Sequence, residues 1–239
     1  MEKEFSNKIV VVTGGAKGIG RQIANDFLAQ GATVEIIDIL DGDHFVGDIS
    51  KEEILDDFCQ MVIDKHGKVD VLVNNAIPIM KGIEEATYDD FIYAMKVGAA
   101  APFYLAKKFA PYFNQGAAII NISSSRSQMS QAQTETYSAA KGAIASLTHA
   151  MAMSFAGKVR VNAIAPGWIE TSDVIYDDEN ASQHPAGRVG KTSDISNMVL
   201  YLSSDKASFI TGQEFLIDGG MGKQMIYHDD NGWLYKKSK

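Results

Sequence analysis

The chain has 239 residues, of which 46% are hydrophobic, so it can bury one substantial core, as expected of a single α/β domain. Its 22 basic and 30 acidic side chains give a net charge of −8, which argues against a nucleic-acid-binding or membrane-binding surface. The single Cys59 excludes an internal disulfide, and no apolar run is long enough to cross a membrane.

Short apolar runs alternate with amphipathic segments along the chain. Seven strands are predicted, at residues 8–14, 33–38, 44–48, 69–76, 117–123, 159–167 and 213–220. Helices are predicted over residues 18–31 and 52–67, from about Tyr88 to Phe113, from the Tyr137 region to about Gly157, and over 193–204. This alternation predicts an α/β fold, a doubly wound seven-stranded parallel sheet with helices on both faces.

The connection between the second and third strands is unusually short. Only nine residues separate Asp38 from Asp48, and some of them belong to the third strand. A crossover that contains a helix needs about ten to twelve residues. The helix expected at this point is therefore reduced or absent.

A glycine-rich segment, "TGGAKGIG", follows the first strand and opens the first helix. Its Gly14, Gly18 and Gly20 permit a tight turn, close approach of a pyrophosphate and helix–strand packing, and Ile19 lies among them. No Gly-Lys-Ser/Thr follows, so the segment is not a phosphate-binding Walker A loop. The segment therefore predicts a dinucleotide site.

Asp38 ends the second strand, where an acidic side chain accepts hydrogen bonds from the adenosine ribose and repels a 2′-phosphate. This position favours NAD. Lys17, in the glycine-rich turn, leaves NADP possible, because a cation there could pair with a 2′-phosphate; otherwise it is a solvated lysine of the turn.

Tyr137 and Lys141 lie four residues apart in "TETYSAAKGA", one helical turn, so they share a face. The pair alone is compatible with an aromatic anchor beside a solvated lysine. Its small neighbours, however, let another molecule or helix approach that face. A phenol has an ordinary pKa near 10, and a neighbouring ammonium would bring that pKa closer to neutrality.

Five motifs occur in the order typical of one family: the glycine-rich turn, "NNA", "ISSS", "YSAAK" and "PGWIET". From about Lys8 to Gly222 the chain resembles the short-chain dehydrogenase/reductase family. The resemblance implies a Rossmann-type domain over residues 1–222, followed by a tail over 223–239. It also implies an NAD(P)-dependent alcohol dehydrogenase or carbonyl reductase that acts on a small molecule.

The resemblance implies roles for individual residues. Tyr137 would be the acid/base, Lys141 would hold the nicotinamide ribose and lower the tyrosine pKa, and Ser124 would hydrogen-bond the reacting oxygen. Further cofactor contacts would come from Asp48, Ile49, Asn75, Ala76, Pro166, Gly167, Ile169 and Thr171. No spacing of His, Asp and Glu resembles a metal site.

Two positions depart from the family pattern. Ile77 stands where a glycine is usual, and Gly98 stands where an asparagine usually anchors a water of the proton relay. Gly98 is open to two interpretations, close helix packing or a functional requirement. These departures also leave an alternative function, a cofactor-binding regulatory protein with little turnover.

Two segments are candidates for substrate contact. The polar loop "SRSQMSQAQTE" after Ser124 could hydrogen-bond a polar substrate or be simply a solvated loop, and residues 172–187 are a predicted lid.

The tail contains Tyr227, Trp233 and Tyr235, which indicates packing on a subunit interface or on the pocket. Similar family members form tetramers through helices corresponding to residues 99–113 and 137–155, so we expect a homo-oligomer, a dimer or tetramer. The N-terminus does not resemble a signal peptide, which predicts a cytoplasmic protein.

Overall fold

The computed structural model describes residues 3–172 and 174–236 and is built on a parallel sheet. The strands, in chain order, are β1 (Ile9–Thr13), β2 (Thr33–Asp38), β3 (Phe45–Val46), β4 (Val69–Asn74), β5 (Phe113–Ile122), β6 (Val159–Pro166), β7 (Ile169–Glu170), β8 (Gly190–Lys191) and β9 (Glu214–Ile217). Seven of them form the main parallel sheet, as the sequence predicted, and the structure gives their order as β3-β2-β1-β4-β5-β6-β9. The short strands β7 and β8 were not predicted, and they pair with each other in a separate two-stranded sheet.

Seven helices accompany these strands in the part of the chain that the structure describes. They are α1 (Gly18–Ala29), α2 (Glu52–His66), α3 (Tyr88–Met95), α4 (Ala101–Phe109), α5 (Glu135–Ser154), α6 (Glu179–Ser182) and α7 (Thr192–Ser203). A π-helical turn, Lys96–Ala100, joins α3 to α4. None of these helices is long and apolar enough to cross a membrane.

The sheet separates two hydrophobic cores, because neighbouring residues of a strand point to opposite faces. Val11 of β1 packs on one face with α2, α4 and α5, whose buried members include Phe58 and Phe109. Val10 and Val12 pack on the other face with α1 and α7. Burial on both faces explains why the runs Ile9–Val12, Val71–Val73 and Ala117–Ile120 are apolar rather than alternating.

The connection from β2 to β3 contains no helix, which confirms the prediction from its length. Instead, Asp38 Oδ1 accepts a hydrogen bond from Leu40 N at 3.0 Å, and His44 Nε2 lies 2.9 Å from Leu40 O. The chain therefore turns on side-chain hydrogen bonds and reaches β3 directly.

The prediction of one helical region from about Tyr88 to Phe113 is wrong in two respects, since the segment is not a single α-helix and does not extend to Phe113. It is interrupted by the π-helical turn and ends at Phe109, and Phe113 begins β5. Phe113 lies 6.4 Å from Phe109 and 5.9 Å from Phe155 between ring centroids. A buried aromatic that continues the apolar spacing of α4 therefore looks helical in the sequence, although its contacts place it in the sheet.

Candidate active site

A cleft of about 480 Å³ opens at the carboxyl edge of the sheet. It lies where β1 and β4 are adjacent and the strand order changes direction, the usual ligand position in a doubly wound sheet. Eleven of the sequence-predicted cofactor residues line it: Gly14, Lys17, Gly18, Ile19, Gly20, Asp38, Asp48, Ile49, Asn75, Ala76 and Thr171. Leu40, Tyr93 and Val97 also line the cleft and were not predicted, because no motif marks them.

The glycine-rich turn has space only for glycine at two of its positions. A Cβ on Gly14, whose φ is +68°, would lie 2.8 Å from Ala76 Cα. A Cβ on Gly20 would collide with the Gly14 carbonyl oxygen and the Asn75 side chain. The turn therefore presents bare backbone to the cleft at the N-terminus of α1, where free N–H groups favour an anion.

Asn75 and Thr13 hold this turn against the end of β4. Asn75 Nδ2 donates to Gly14 O at 2.9 Å and to Thr13 O at 3.1 Å. The backbone N–H groups of Asn75 and Ala76 donate to Thr13 Oγ1 at 3.0 and 3.1 Å. These bonds fix the turn and the adjoining wall of the cleft as one unit.

Asp38 stands at the far end of the cleft and is 8% exposed. Its Oδ2 accepts a hydrogen bond from Ala16 N at 2.9 Å, and its Oδ1 accepts the bond from Leu40 N. Each carboxylate oxygen has two lone pairs, so both can still accept a further donor. The carboxylate is thus held in one orientation by two backbone N–H groups and keeps free acceptor capacity towards the cleft.

The other half of the site lies between β5 and α5. Ser124 follows β5, and its Oγ accepts a hydrogen bond from Arg126 N at 3.2 Å. Tyr137 and Lys141 share a face of α5, where Lys141 Nζ lies 5.4 Å from the centroid of the Tyr137 ring. Lys141 Nζ donates to Ile122 O at 2.7 Å. The structure therefore brings Ser124, Tyr137 and Lys141 together at the end of β5.

A buried polar chain positions α5 on the sheet. Asn74 Nδ2 donates to Asn121 Oδ1 at 2.8 Å, and Asn121 Nδ2 donates to Thr148 Oγ1 at 2.9 Å. These hydrogen bonds link β4, β5 and α5, the elements next to Ser124, Tyr137 and Lys141. Buried hydrogen bonds of this kind fix one register and orientation of a helix.

Burial dominates the electrostatics of both α5 side chains. It raises the pKa of the Tyr137 phenol above its ordinary value, while a hydrogen bond with Ser124 and the charge of Arg126 act in the opposite direction. Burial lowers the pKa of the Lys141 ammonium to about 8. In the protein alone, therefore, the phenol is protonated at neutral pH and the lysine carries a costly charge.

Gly98 lies in the π-helical turn and is buried. A Cβ at this position would lie 2.7 Å from Ala140 Cβ, on the residue that precedes Lys141 in α5. Real Cβ atoms essentially never come that close, so an asparagine would displace α5. The geometry favours close helix packing over a water-filled space at Gly98.

The segment after β6 closes the cleft from the opposite side. Gly167 N donates to Ile217 O at 2.9 Å, and a Cβ on Gly167 would lie 2.6 Å from Asp218 Cβ. Ile169 pairs with Gly190 in the two-stranded sheet. Thr171 faces the glycine-rich turn, where its Cγ2 would lie 3.4 Å from a Cβ on Gly18. Pro166, at the end of β6, and Gly167 do not line the cleft themselves but set the path of this segment.

The predicted lid contains the short helix α6, and Asp173 within it lies outside the described residues. Trp168 packs against Tyr176 and His184, with ring centroids 5.1 and 6.1 Å apart. His184 is 2% exposed, and its Nδ1 lies 3.0 Å from Asn180 O. Nothing in the sequence marked this aromatic cluster.

Among the described residues, no three His, Cys, Asp or Glu side chains cluster as metal ligands.

A family model described as enoyl-(acyl carrier protein) reductase matches residues 14–222. An uncharacterized oxidoreductase of Thermotoga maritima is 37% identical, in an alignment that covers 94% of this chain and all of that protein. The 3-oxoacyl-[acyl-carrier-protein] reductase of the same organism is 31% identical and covers 91% of this chain and 98% of its own. L-fucose dehydrogenase of Mus musculus is 33% identical, with coverages of 90% and 89%.

Solved structures agree over nearly the whole chain. An apo SCOR enzyme from Clostridium thermocellum has a TM-score of 0.89 and 40% identity, and the match covers 100% of both chains. A blue fluorescent protein from a metagenomic library, solved in complex with NADPH, has a TM-score of 0.83 and 26% identity over 92% of this chain and 99% of its own. Fold and sequence therefore place the chain among oxidoreductases.

Proposed function

Because the chain belongs to the short-chain dehydrogenase/reductase family and is an oxidoreductase, we propose that it is an NAD(H)-dependent alcohol dehydrogenase or carbonyl reductase. The observation that supports this most is that Ser124, Tyr137 and Lys141 lie together at the carboxyl end of β5, at the same edge of the sheet as the glycine-rich cleft. The comparisons give no support to the alternative, a cofactor-binding regulatory protein with little turnover. The substrate is a small molecule.

The cleft fits a dinucleotide. Its two obligatory glycines leave room for a pyrophosphate at the N-terminus of α1, and the Asp38 carboxylate can accept ribose hydroxyls. Asp48 and Ile49 would contact the adenine, Asn75 and Ala76 the adenosine ribose, and Ile169 and Thr171 the carboxamide and pyrophosphate. When bound, the nicotinamide supplies or accepts the hydride.

Proton handling falls to the chain itself. The protonated Tyr137 phenol donates its proton to a carbonyl oxygen during reduction and recovers it from the alcohol during oxidation. Ser124 donates a hydrogen bond to the same oxygen. Lys141 Nζ uses one N–H on Ile122 O, which leaves two N–H groups for a ribose hydroxyl. Its positive charge favours the phenolate that forms when the proton leaves.

The proposed activity is tested with a panel of sugars, polyols, oxo acids, steroids and their alcohols. The expected result is an absorbance change of reduced nicotinamide with at least one class, and loss of that change in a Tyr137 variant. The panel is broad because the two named relatives differ in substrate, one being a 3-oxoacyl reductase and the other a fucose dehydrogenase. No change with any compound, at several pH values and with both cofactors, would contradict the proposal.

Asp38→Ala should reduce the preference for NAD over NADP by about tenfold or more. Charge-assisted hydrogen bonds contribute roughly 1.5–3 kcal/mol each, and about 1.4 kcal/mol equals tenfold in affinity. Dissociation constants for both cofactors, from the fluorescence of the reduced forms, measure the change. Asp41→Ala, on the same connection between β2 and β3, is the control and should leave the ratio unchanged. Tighter binding of NADP by the unmodified protein would show that Lys17 determines the choice.

We further propose a cytoplasmic homo-oligomer, a dimer or tetramer, assembled through the exposed faces of α3, α4 and α5. A shallow groove of about 420 Å³ there is lined by Ile92, Met95, Lys96, Ala99, Ala100, Phe103, Ala143 and Leu147. Phe103, one of these lining residues, is 51% exposed. An apolar groove between α5 and the segment from α3 to α4 fits the same groove of a second copy, because small residues let helix backbones approach closely.

Residues 1–222 would then form the domain, and 223–239 a tail that packs on a second copy. In the described part of the tail, Tyr227 and Tyr235 are 66% and 62% exposed. The tail nevertheless has local order, because Asp229 N donates to Trp233 O at 2.8 Å and Trp233 N donates to Asp230 O at 2.8 Å. Aromatics held in an ordered turn but left exposed indicate a contact with another molecule.

Deleting Tyr227–Lys239 should lower the mass of the assembly in solution or expose apolar surface. The reason is that the tail aromatics lose the contact that covers them. Light scattering and dye binding measure the two effects. Deleting only the last four residues, which are Lys, Lys, Ser and Lys, is the control and should change neither. An unaltered mass, melting temperature and turnover after the longer deletion would remove the tail from the interface.

A further inference from the structure

Ile77 presents an exposed apolar side chain to the proposed cofactor cleft, and the contacts assigned above do not use it. Three of the large apolar side chains that line this cleft are exposed, those of Ile77, Ile39 and Leu40, by 71%, 61% and 41%. Ile39 and Leu40 follow Asp38 at one end of the cleft, whereas Ile77 follows Ala76 on the wall beside the glycine-rich turn. An apolar side chain in a concave site is stabilised when a ligand covers it.

The backbone around Ile77 is anchored on both sides. Before it, Ala76 N donates to Thr13 Oγ1 at 3.1 Å, which ties the chain to the end of β1. After it, Lys81 N donates to Thr136 Oγ1 at 2.8 Å, and Thr136 belongs to α5. The segment that carries Ile77 is therefore held to the sheet at one end and to the helix of the reacting groups at the other.

Pro78 restricts Ile77 further and connects it with Gly98. A residue before proline is restricted to extended backbone, and a β-branched side chain has few rotamers, so Ile77 loses little entropy when a ligand covers it. Pro78 is buried, and its Cγ lies 3.4 Å from the position of a Cβ built on Gly98. A side chain at position 98 would thus begin in contact with Pro78 and in collision with Ala140. The two departures from the family pattern, Ile77 and Gly98, therefore belong to one packing arrangement.

The position of Ile77 along the cleft follows from its neighbours. On one side, Ala76 adjoins the glycine-rich turn, where a pyrophosphate would bind. On the other side, Pro78 adjoins the π-helical turn, which packs against Ala140, the residue before Lys141. Ile77 therefore lies between the pyrophosphate position and Lys141, the residue proposed to hold the nicotinamide ribose.

We propose that Ile77 packs against the ribose on the nicotinamide side of the bound dinucleotide and so determines much of its affinity. This inference rests on the function proposed above. The contact is with ribose carbon atoms, since a pyrophosphate needs the N–H donors that the glycine-rich turn supplies and an apolar group cannot replace them. A ligand that ends at the first phosphate gains nothing from Ile77, and one that contains the second ribose gains the whole contact.

The test compares AMP, ADP-ribose and NADH, which extend progressively along the cleft, by calorimetry on the full chain. We expect Ile77→Ala to weaken binding of ADP-ribose and NADH by about tenfold, because three apolar carbons lose their contact, and to leave AMP unchanged. Ile77→Val should keep most of the affinity. Ile83→Ala is the matched control, since Ile83 is 78% exposed in the same connection between β4 and α3 but is not among the described residues that line the cleft.

Thermal unfolding separates this contact from a structural role. Ile77 is largely exposed in the protein without ligand, so Ile77→Ala should leave the melting temperature unchanged without ligand and lower it in the presence of NADH. A fall of the same size under both conditions would overturn the inference.

Unchanged or tighter binding of ADP-ribose and NADH by Ile77→Ala would also overturn it, as would an equal loss of affinity for AMP, which would place the side chain on the adenosine half. If the unmodified protein binds NADH but turns over no substrate, the proposed activity fails, and the binding comparison still decides the role of Ile77. If it binds neither NADH nor ADP-ribose, both proposals fail.

Discussion

Replacing Tyr137 with phenylalanine is expected to lower turnover by a factor of about 10²–10⁴ while leaving cofactor affinity unchanged. The change removes one hydroxyl. Of the three proposed catalytic side chains, only that of Tyr137 is proposed to transfer a proton to the substrate oxygen. The ring keeps its packing and its contact with Lys141 Nζ at 5.4 Å from the centroid. The remaining activity would come from positioning by the cofactor and Ser124.

The experiment requires an identified substrate, steady-state rates in both directions and a binding isotherm for the reduced cofactor. Tyr104→Phe is the matched control, because it removes a phenol that hydrogen-bonds Asp56 at 2.8 Å on the far side of α4. That variant should keep full turnover. Retention of most of the turnover by Tyr137→Phe would reject Tyr137 as the acid/base.

Replacing Lys141 with methionine should abolish most turnover, weaken cofactor binding and stabilise the protein at neutral pH. Burial holds the pKa of Lys141 at about 8, compared with 10.5 in an unfolded chain. Between these pH values the unfolded chain binds more protons than the folded protein, so stability rises with pH through the window. Below pH 8, where the ammonium is charged in both states, its burial lowers the free energy of unfolding by the equivalent of the whole difference between the two pKa values, about 3 kcal/mol.

Methionine has a similar length and no charge, so the variant avoids that cost but loses the hydrogen bond to Ile122 O, worth about 1 kcal/mol. We therefore expect a net gain of roughly 1–2 kcal/mol in the free energy of unfolding at pH 7, which falls to zero at about pH 10, where the remaining cost of the charge equals that of the lost hydrogen bond. Urea denaturation of both proteins at pH 7 and 9.5 measures it. Lys107→Met, at an exposed position of α4, is the control. A variant that is less stable than the unmodified protein at pH 7, or whose difference does not depend on pH, would contradict the argument.

The sheet could be predicted from the sequence because its strands are buried on both faces. The runs Ile9–Val12 of β1 and Val71–Val73 of β4 contain only apolar, mostly β-branched residues, and alternate residues of each run belong to different cores. The missing helix between β2 and β3 was predictable for a different reason, namely that the connection is too short to contain one.

The parts that could not be predicted depend on contacts between residues distant in sequence. Phe113 lies in β5, where its ring packs against that of Phe155. The π-helical turn that separates α3 from α4 contains Gly98, against which Ala140 of α5 packs closely. The glycine-rich turn and the Tyr137–Lys141 pair are local patterns, so they were visible in the sequence.

Cys59 has a practical consequence beyond its place in the core. It is the only cysteine of the chain, it is fully buried on α2 beside Phe58, and burial raises its pKa to about 12. Thiolate is the reactive form, so a thiol reagent cannot modify the native protein until α2 separates from the sheet. The rate of alkylation of Cys59 in native buffer therefore reports how often α2 separates from the sheet, and the measurement needs no engineered cysteine.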